Sequence, residues 1–95
     1  MEYILFIHNN THSATTEEQW DLFFEAANKS GVFIGGSEIT NQTQIGEKGV
    51  KNITNEIVGY MRFNSKDKSK ILKLLEKHPV VIQGGTVELC ETPRT

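Results

Sequence analysis

Few residues in this sequence have the type and setting to do chemistry. His8 closes an apolar run, EYILFIH. An imidazole titrates near neutrality, so at the mouth of a cleft it serves as an acid/base or a ligand contact; bonded to a backbone carbonyl at a strand end, it does neither. Spacing leaves both readings open. Glu38 follows Gly35-Gly36, and a bulge that aims it inward makes it a candidate base, whereas a strand-end carboxylate is otherwise solvated. Tyr60 and Arg62 alternate along the run Glu56 to Phe63. Arg62 has forked donors suited to a carboxylate and a stem suited to covering apolar neighbours. His78 precedes Pro79 at the end of a helical pattern, where a cationic ring complements the negative helix end. Trp20 carries an indole N–H that needs a partner once buried. Cys90 reads as a small half-buried thiol without an identifiable base. His12 lies in a polar stretch and is expected to be solvated; its i, i+4 spacing from His8 brings side chains together only on a helix.

Other chemistries have no support in the spacing. No cluster of His, Cys, Asp and Glu has metal-ligand spacing. Gly35-Gly36 is not followed by Gly-Lys-Ser/Thr, so no phosphate loop and no cofactor is implied. A single cysteine forms no internal disulfide. The formal net charge of −2 favours no polyanion. Lys66, Lys68, Lys70, Lys73 and Lys77 make one helix basic, but Asp67 and Glu76 dilute it, and the aromatic-rich RNA signature is missing. A solvated lysine face is expected, and nucleic acid is not an expected partner. The N-terminus lacks a basic region and its apolar run is too short for a membrane span, which gives a cytoplasmic expectation.

These residues need elements to hold them. The 95 residues, 37% hydrophobic and 23% charged, fit a single globular domain, 1–95. Residues 2–8 predict a strand buried on both faces. Thr15-Thr16-Glu17-Glu18 has capping-box spacing, and Trp20, Phe23, Phe24 and Ala27 form one apolar helical face, most simply core. Gly31 suits the left-handed helix end. Val32 to Ile39 predicts a second strand interrupted by a bend or bulge at the double glycine. Residues 40–55 read as a long loop or a loose hairpin around Glu47-Lys48-Gly49. Glu56 to Phe63 predicts a third strand. Asn64-Ser65 is the expected cap of a second helix, whose buried face is Ile71, Leu72, Leu74 and Leu75 and which Pro79 stops. Val80-Val81-Ile82 predicts a short extended piece, and Thr86 to Glu91 a last strand.

The order β-α-β-β-α-β, with right-handed crossovers, predicts an α+β ferredoxin-like fold: a four-stranded antiparallel sheet with two helices on one face. Apolar residues on both sides of the first strand predict that the other sheet face is also covered, most simply by a second copy in an isologous homodimer.

Several segments resemble the YCII-related family, which includes the DGPF-motif proteins. The opening MEYILFIH resembles its first strand, EEQWDLFF its first helix, GVFIGGSE the following strand, and Val58-Gly59-Tyr60 its third. The resemblance implies a dimeric α/β barrel with a cleft beside the sheet. Some relatives are small-molecule enzymes such as lactone dehalogenases, and many have no assigned activity. The Asp-Gly-Pro-Phe motif is absent, its place taken by Asn52-Ile53-Thr54-Asn55. The family's helix-one histidine and pre-proline aspartate are replaced by Trp20 and His78. The resemblance therefore implies a YCII-like domain that binds a small organic ligand in a dimer cleft; its dyad positions, Trp20 and His78, join Glu38, Tyr60 and Arg62, singled out by their own chemistry, as the candidate contacts. The alternatives are an enzyme using His8 as acid/base on an organic acid or lactone, and a protein- or RNA-interaction module.

Overall fold

The computed structural model describes residues 1–51 and 56–94; the stretch Asn52 to Asn55, where the family's motif would fall, lies outside the described residues. Among the described residues seven elements follow one another: β1 (Glu2–His8), α1 (Glu17–Ser30), β2 (Phe33–Glu38), β3 (Ile57–Asn64), α2 (Lys68–Leu75), α3 (Pro79–Ile82) and β4 (Val87–Glu91). The strands form one antiparallel sheet in the order β2-β3-β1-β4, the ferredoxin-like order expected. The molecule is a slab of 44 × 38 × 17 Å, one layer of strands and one of helices. Among the described residues no helix is long and apolar enough to cross a membrane.

Strand alternation sorts the side chains of β1. Tyr3, Leu5 and Ile7 are buried under the helices, opposite Phe63, Met61 and Gly59 of β3. Ile4, Phe6 and His8 point to the other face and are only half-buried, so the expectation of burial on both sides is half met within one chain. Phe23, Ala27, Ile71, Leu74 and Leu75 close the core from the helix layer. Each large side chain taken fully from water, Phe23 and Ile71 among them, contributes on the order of 2 kcal/mol.

Local chemistry sets the element ends, sometimes one residue from where the pattern suggested. Of the two threonines that could start α1, Thr16 is the cap, and its capping-box partner is Gln19 and not an acidic residue: the Thr16 hydroxyl accepts from the Gln19 N–H at 3.1 Å, and the Gln19 side chain accepts from the Thr16 N–H at 2.9 Å. Thr15 is engaged instead by the Trp20 indole. Gly31, with φ 74°, ends the helix as predicted. Helix α2 is capped by Asp67, whose carboxylate accepts from the Ser69 N–H at 3.0 Å, and not by Asn64-Ser65; Asn64 is still paired with Glu2 in the sheet. Leu72 faces water and does not join the buried face.

Val80 to Ile82 is a helical turn, not an extended piece. Pro79 takes its first position, where the missing N–H costs nothing and the fixed φ suits a helix. The last strand is then pinned to the loop after β1. The Asn10 side chain brackets Thr86 through two hydrogen bonds, of 2.8 and 3.0 Å, and the His12 N–H donates to the Gln83 carbonyl at 2.9 Å. His12 is exposed, yet its ring covers Gly84, whose φ of 81° and lack of a side chain permit the approach.

Candidate functional site

The bulge in β2 decides which side chains meet. Phe33 lies opposite Phe63, but Gly35 lies opposite Arg62, so one extra residue is accommodated between them. That extra residue reverses the alternation. Gly36 and Glu38 therefore pair with Met61 and Gly59 and share the helix-facing side with Phe33. The double glycine also lets the strands approach closely: a Cβ on Gly36 would stand 2.2 Å from the Tyr60 carbonyl oxygen. The bulge thus turns Glu38 to the helix-facing side, yet at the strand end the residue stays exposed, as a solvated carboxylate would be.

Between α1 and the β2–β3 edge a cleft of about 520 Å³ opens at the end of the sheet where β1 and β2 finish and β3 begins. Trp20, Phe24 and Phe33 wall it. Trp20 and Phe24 are stacked, centroids 5.8 Å apart at 28°, and Phe24 and Phe33 continue the wall at 6.1 Å. Phe23 alone of the aromatic trio on α1 is core; Trp20 is half-buried and Phe24 is 38% exposed, because both front the cleft. The floor is Met61 and Gly59, and Ile7 and Val80 close the inner side. Thr11, Thr15, Ser37 and Glu38 supply polar groups near the mouth. The Trp20 indole donates to the Thr15 hydroxyl at 2.9 Å, which fixes the ring plane.

Of the residues singled out from sequence, His8, Trp20, Glu38 and Tyr60 gather around this cleft. Tyr60 alternates with Met61, so its side chain belongs to the face away from the helices, at the rim. Arg62 does not reach the cleft. It lies on the open sheet face, with its guanidinium 3.6 Å from the Glu2 carboxylate, so its partner comes from its own chain.

His78 is not a solvated cation at a helix end. It is fully buried, and its Nδ1 accepts from the Val80 N–H at 3.2 Å, which makes it the cap of α3. The proton of the neutral ring therefore resides on Nε2, and that atom has no hydrogen-bond partner among the described residues. The rings of Trp20 and Phe23 pack against it edgewise, at 5.0 and 4.8 Å. Burial lowers its pKa to about 4, so it is neutral at pH 7. The two positions that the family resemblance pairs as histidine and aspartate are in contact here, but as an indole and a neutral imidazole. His78 stands behind the Trp20 wall and does not line the cleft.

His8 has a partner that the sequence did not disclose. Its Nε2 meets Glu88 Oε1 of β4, 80 positions away. Phe6 opposes Glu88 in the register, so His8 and Glu88 are diagonal neighbours on the open face. An ionised carboxylate only accepts, so Nε2 carries a proton and, in the neutral ring, Nδ1 keeps a free lone pair. The β-α-β-β-α-β order, which sets β4 beside β1, is the one sequence signal that could have pointed to this pair. Phe24 and Phe33 were likewise not assigned to the site, since Phe24 falls on a helical face that reads as core and Phe33 merely opens a strand.

Strand order and the single helix layer make this a ferredoxin-like α+β domain. A solved structure that it resembles is 5-chloro-2-hydroxyhydroquinone dehydrochlorinase from Burkholderia phenoliruptrix AC1100 in complex with 2,5-dihydroxybenzoquinone: TM-score 0.50, 7% identity, 100% of this chain and 96% of that chain. At that identity the likeness is one of fold, and it supports the fold that the YCII resemblance implies. No protein-family model matches the chain, and no curated protein matches it in sequence.

Proposed function

We propose that this chain is a small-molecule-binding domain of the YCII-like kind, with its ligand seated in the cleft between α1 and the β2–β3 edge. The aromatic wall of Trp20, Phe24 and Phe33 carries this reading: about 520 Å³ lined mainly by apolar groups, with a few polar ones at the mouth, is the size and character of a small-ligand site. The complex named for the structural neighbour, with a small quinone, is consistent with it. The chain has one tryptophan, and it is in the wall, so its fluorescence reports on the site alone. Titration with small phenols, lactones and amines should quench or shift that emission and raise the melting temperature. A panel that leaves both unchanged would remove the reading.

The open face of the sheet supports a homodimer as the working unit. Ile4, Phe6 and Tyr60 are half-buried there and Ile34 is 46% exposed, with no layer of the described residues over them. Light scattering is expected to give about twice the chain mass of 10.7 kDa, and Phe6→Glu to halve it. A wild-type monomer at micromolar concentration would exclude the dimer.

One observation favours a second, enzymatic reading, in which His8 acts on an organic acid or lactone. The Glu88 carboxylate orients the ring and leaves Nδ1 without a partner among the described residues, and His8 is one of the residues that line the cleft. In that case His8→Ala abolishes turnover while binding persists. Binding without turnover by the wild type leaves the first reading alone.

A further inference from the structure

Glu38 is the one carboxylate among the described residues that line the cleft. Among the described residues no lysine or arginine lines the cleft. Two basic groups of the fold are committed elsewhere: Lys29 to Glu25 at 2.9 Å in the last turn of α1, and Arg62 to Glu2 at 3.6 Å. The N-terminus of α1, which could attract an anion, is closed by the Thr16–Gln19 capping box and followed by Glu17 and Glu18. Glu38, in contrast, is turned to the helix-facing side by the bulge and lines the mouth, and its carboxylate has no salt-bridge or hydrogen-bond partner among the described residues. Opposite it in the register stands Gly59, and the residue itself is exposed to solvent. The same lining holds the rings of Phe33, Phe24 and Trp20, and an aromatic face attracts a cation through its negative quadrupole. His8, the remaining titratable group at the mouth, is engaged with a second carboxylate, Glu88.

We propose, resting on the cleft as the ligand site, that it selects a small organic cation, an ammonium group on an apolar or aromatic body, with Glu38 as its charge partner and the Trp20–Phe24–Phe33 wall as its seat. An organic acid would bring a second negative charge to a mouth that offers no cation to meet it, so carboxylates are the disfavoured class. A free small molecule fits the enclosed volume.

The test is a matched series on the full chain at pH 7.5, followed by Trp20 fluorescence and calorimetry: phenethylammonium, phenethyl alcohol and 3-phenylpropionate. The cation is expected to bind about tenfold more tightly than the carboxylate, the sum of one exposed ion pair and one cation–π contact, with the alcohol between them. Glu38→Gln should reduce that preference to about threefold without changing the affinity for the alcohol. Raising the salt should shrink the preference in the wild type and not in the variant. If the carboxylate binds as well as the cation, the charge selectivity is overturned while the cleft stands. If Glu38→Gln leaves the preference intact, the role of Glu38 is overturned. If none of the three binds, the cleft and the selectivity fall together.

Discussion

Two histidines of this chain sit in opposite surroundings, and the contrast shows how environment assigns a role to the same ring. His8 ends β1 with its side chain 22% exposed, holding a carboxylate through one nitrogen while the other has no partner among the described residues. His78 is buried between Trp20, Phe23 and the start of α3, with one nitrogen satisfied and the other without a polar partner among the described residues. The first is half open to water and paired with a carboxylate. The second is a packing element that stays neutral because its cation would have no water or counter-charge to face. The family resemblance would have given chemistry to the buried corner. The arrangement found transfers whatever acid/base capacity there is to the strand end.

The contrast can be sharpened by titration, and the largest effect is expected at His78. Its pKa falls from the ordinary 6.5 to about 4 on folding. The unfolded chain therefore binds a proton before the folded one does. The stability that the neutral ring supports is complete above pH 6.5 and is lost as pH drops toward 4, by about 3 kcal/mol in total. Urea midpoints measured across that window should fall steeply in the wild type and less steeply in His78→Asn, which keeps a capping oxygen for the Val80 N–H but cannot titrate. Equal slopes would show that the ring is not the group responsible.

Trp20→Ala comes next. It should cost about 2–3 kcal/mol as a large ring is cut away, and it should admit water to His78, raising that residue's pKa back toward the usual value. Histidine C–H shifts followed by NMR would register the change, and an unmoved His78 titration would mean that Trp20 is not its barrier to solvent. Smallest on stability are His8→Ala and Glu88→Gln. Their pair is half open to water, with the Glu88 side chain 56% exposed, so each should shift the unfolding free energy by less than about 1 kcal/mol. A loss several times larger would make the pair a structural tie and blur the distinction from His78.

Much of the fold was legible because its signals are local. Alternation of Tyr3, Leu5 and Ile7 made β1, the polar and acidic turn before Trp20 with Gly31 after Ser30 made α1, and Gly35-Gly36 marked the bulge. Local signals also misled. Val80-Val81-Ile82 is β-branched and reads as extended, but Pro79 pre-sets a helical turn and His78 caps it. Leu72 falls in an apolar run and still faces water, because α2 presents Ile71, Leu74 and Leu75 to the sheet.

The sequence alone determined the element order, and with it the handed crossovers that place β4 beside β1 and the helices on one side. It also determined that Glu38 follows a double glycine able to reverse the strand's facing. Tertiary structure decided the rest. The register set His8 against Glu88 and sent Arg62 to Glu2, away from the cleft. Packing of α1 on α3 enclosed His78 and left Trp20 and Phe24 as a wall instead of a core. The physical reason is one of range: a cap, a turn or an alternation is fixed by neighbours a few residues apart, while desolvation and charge partners depend on groups that only the folded chain brings together.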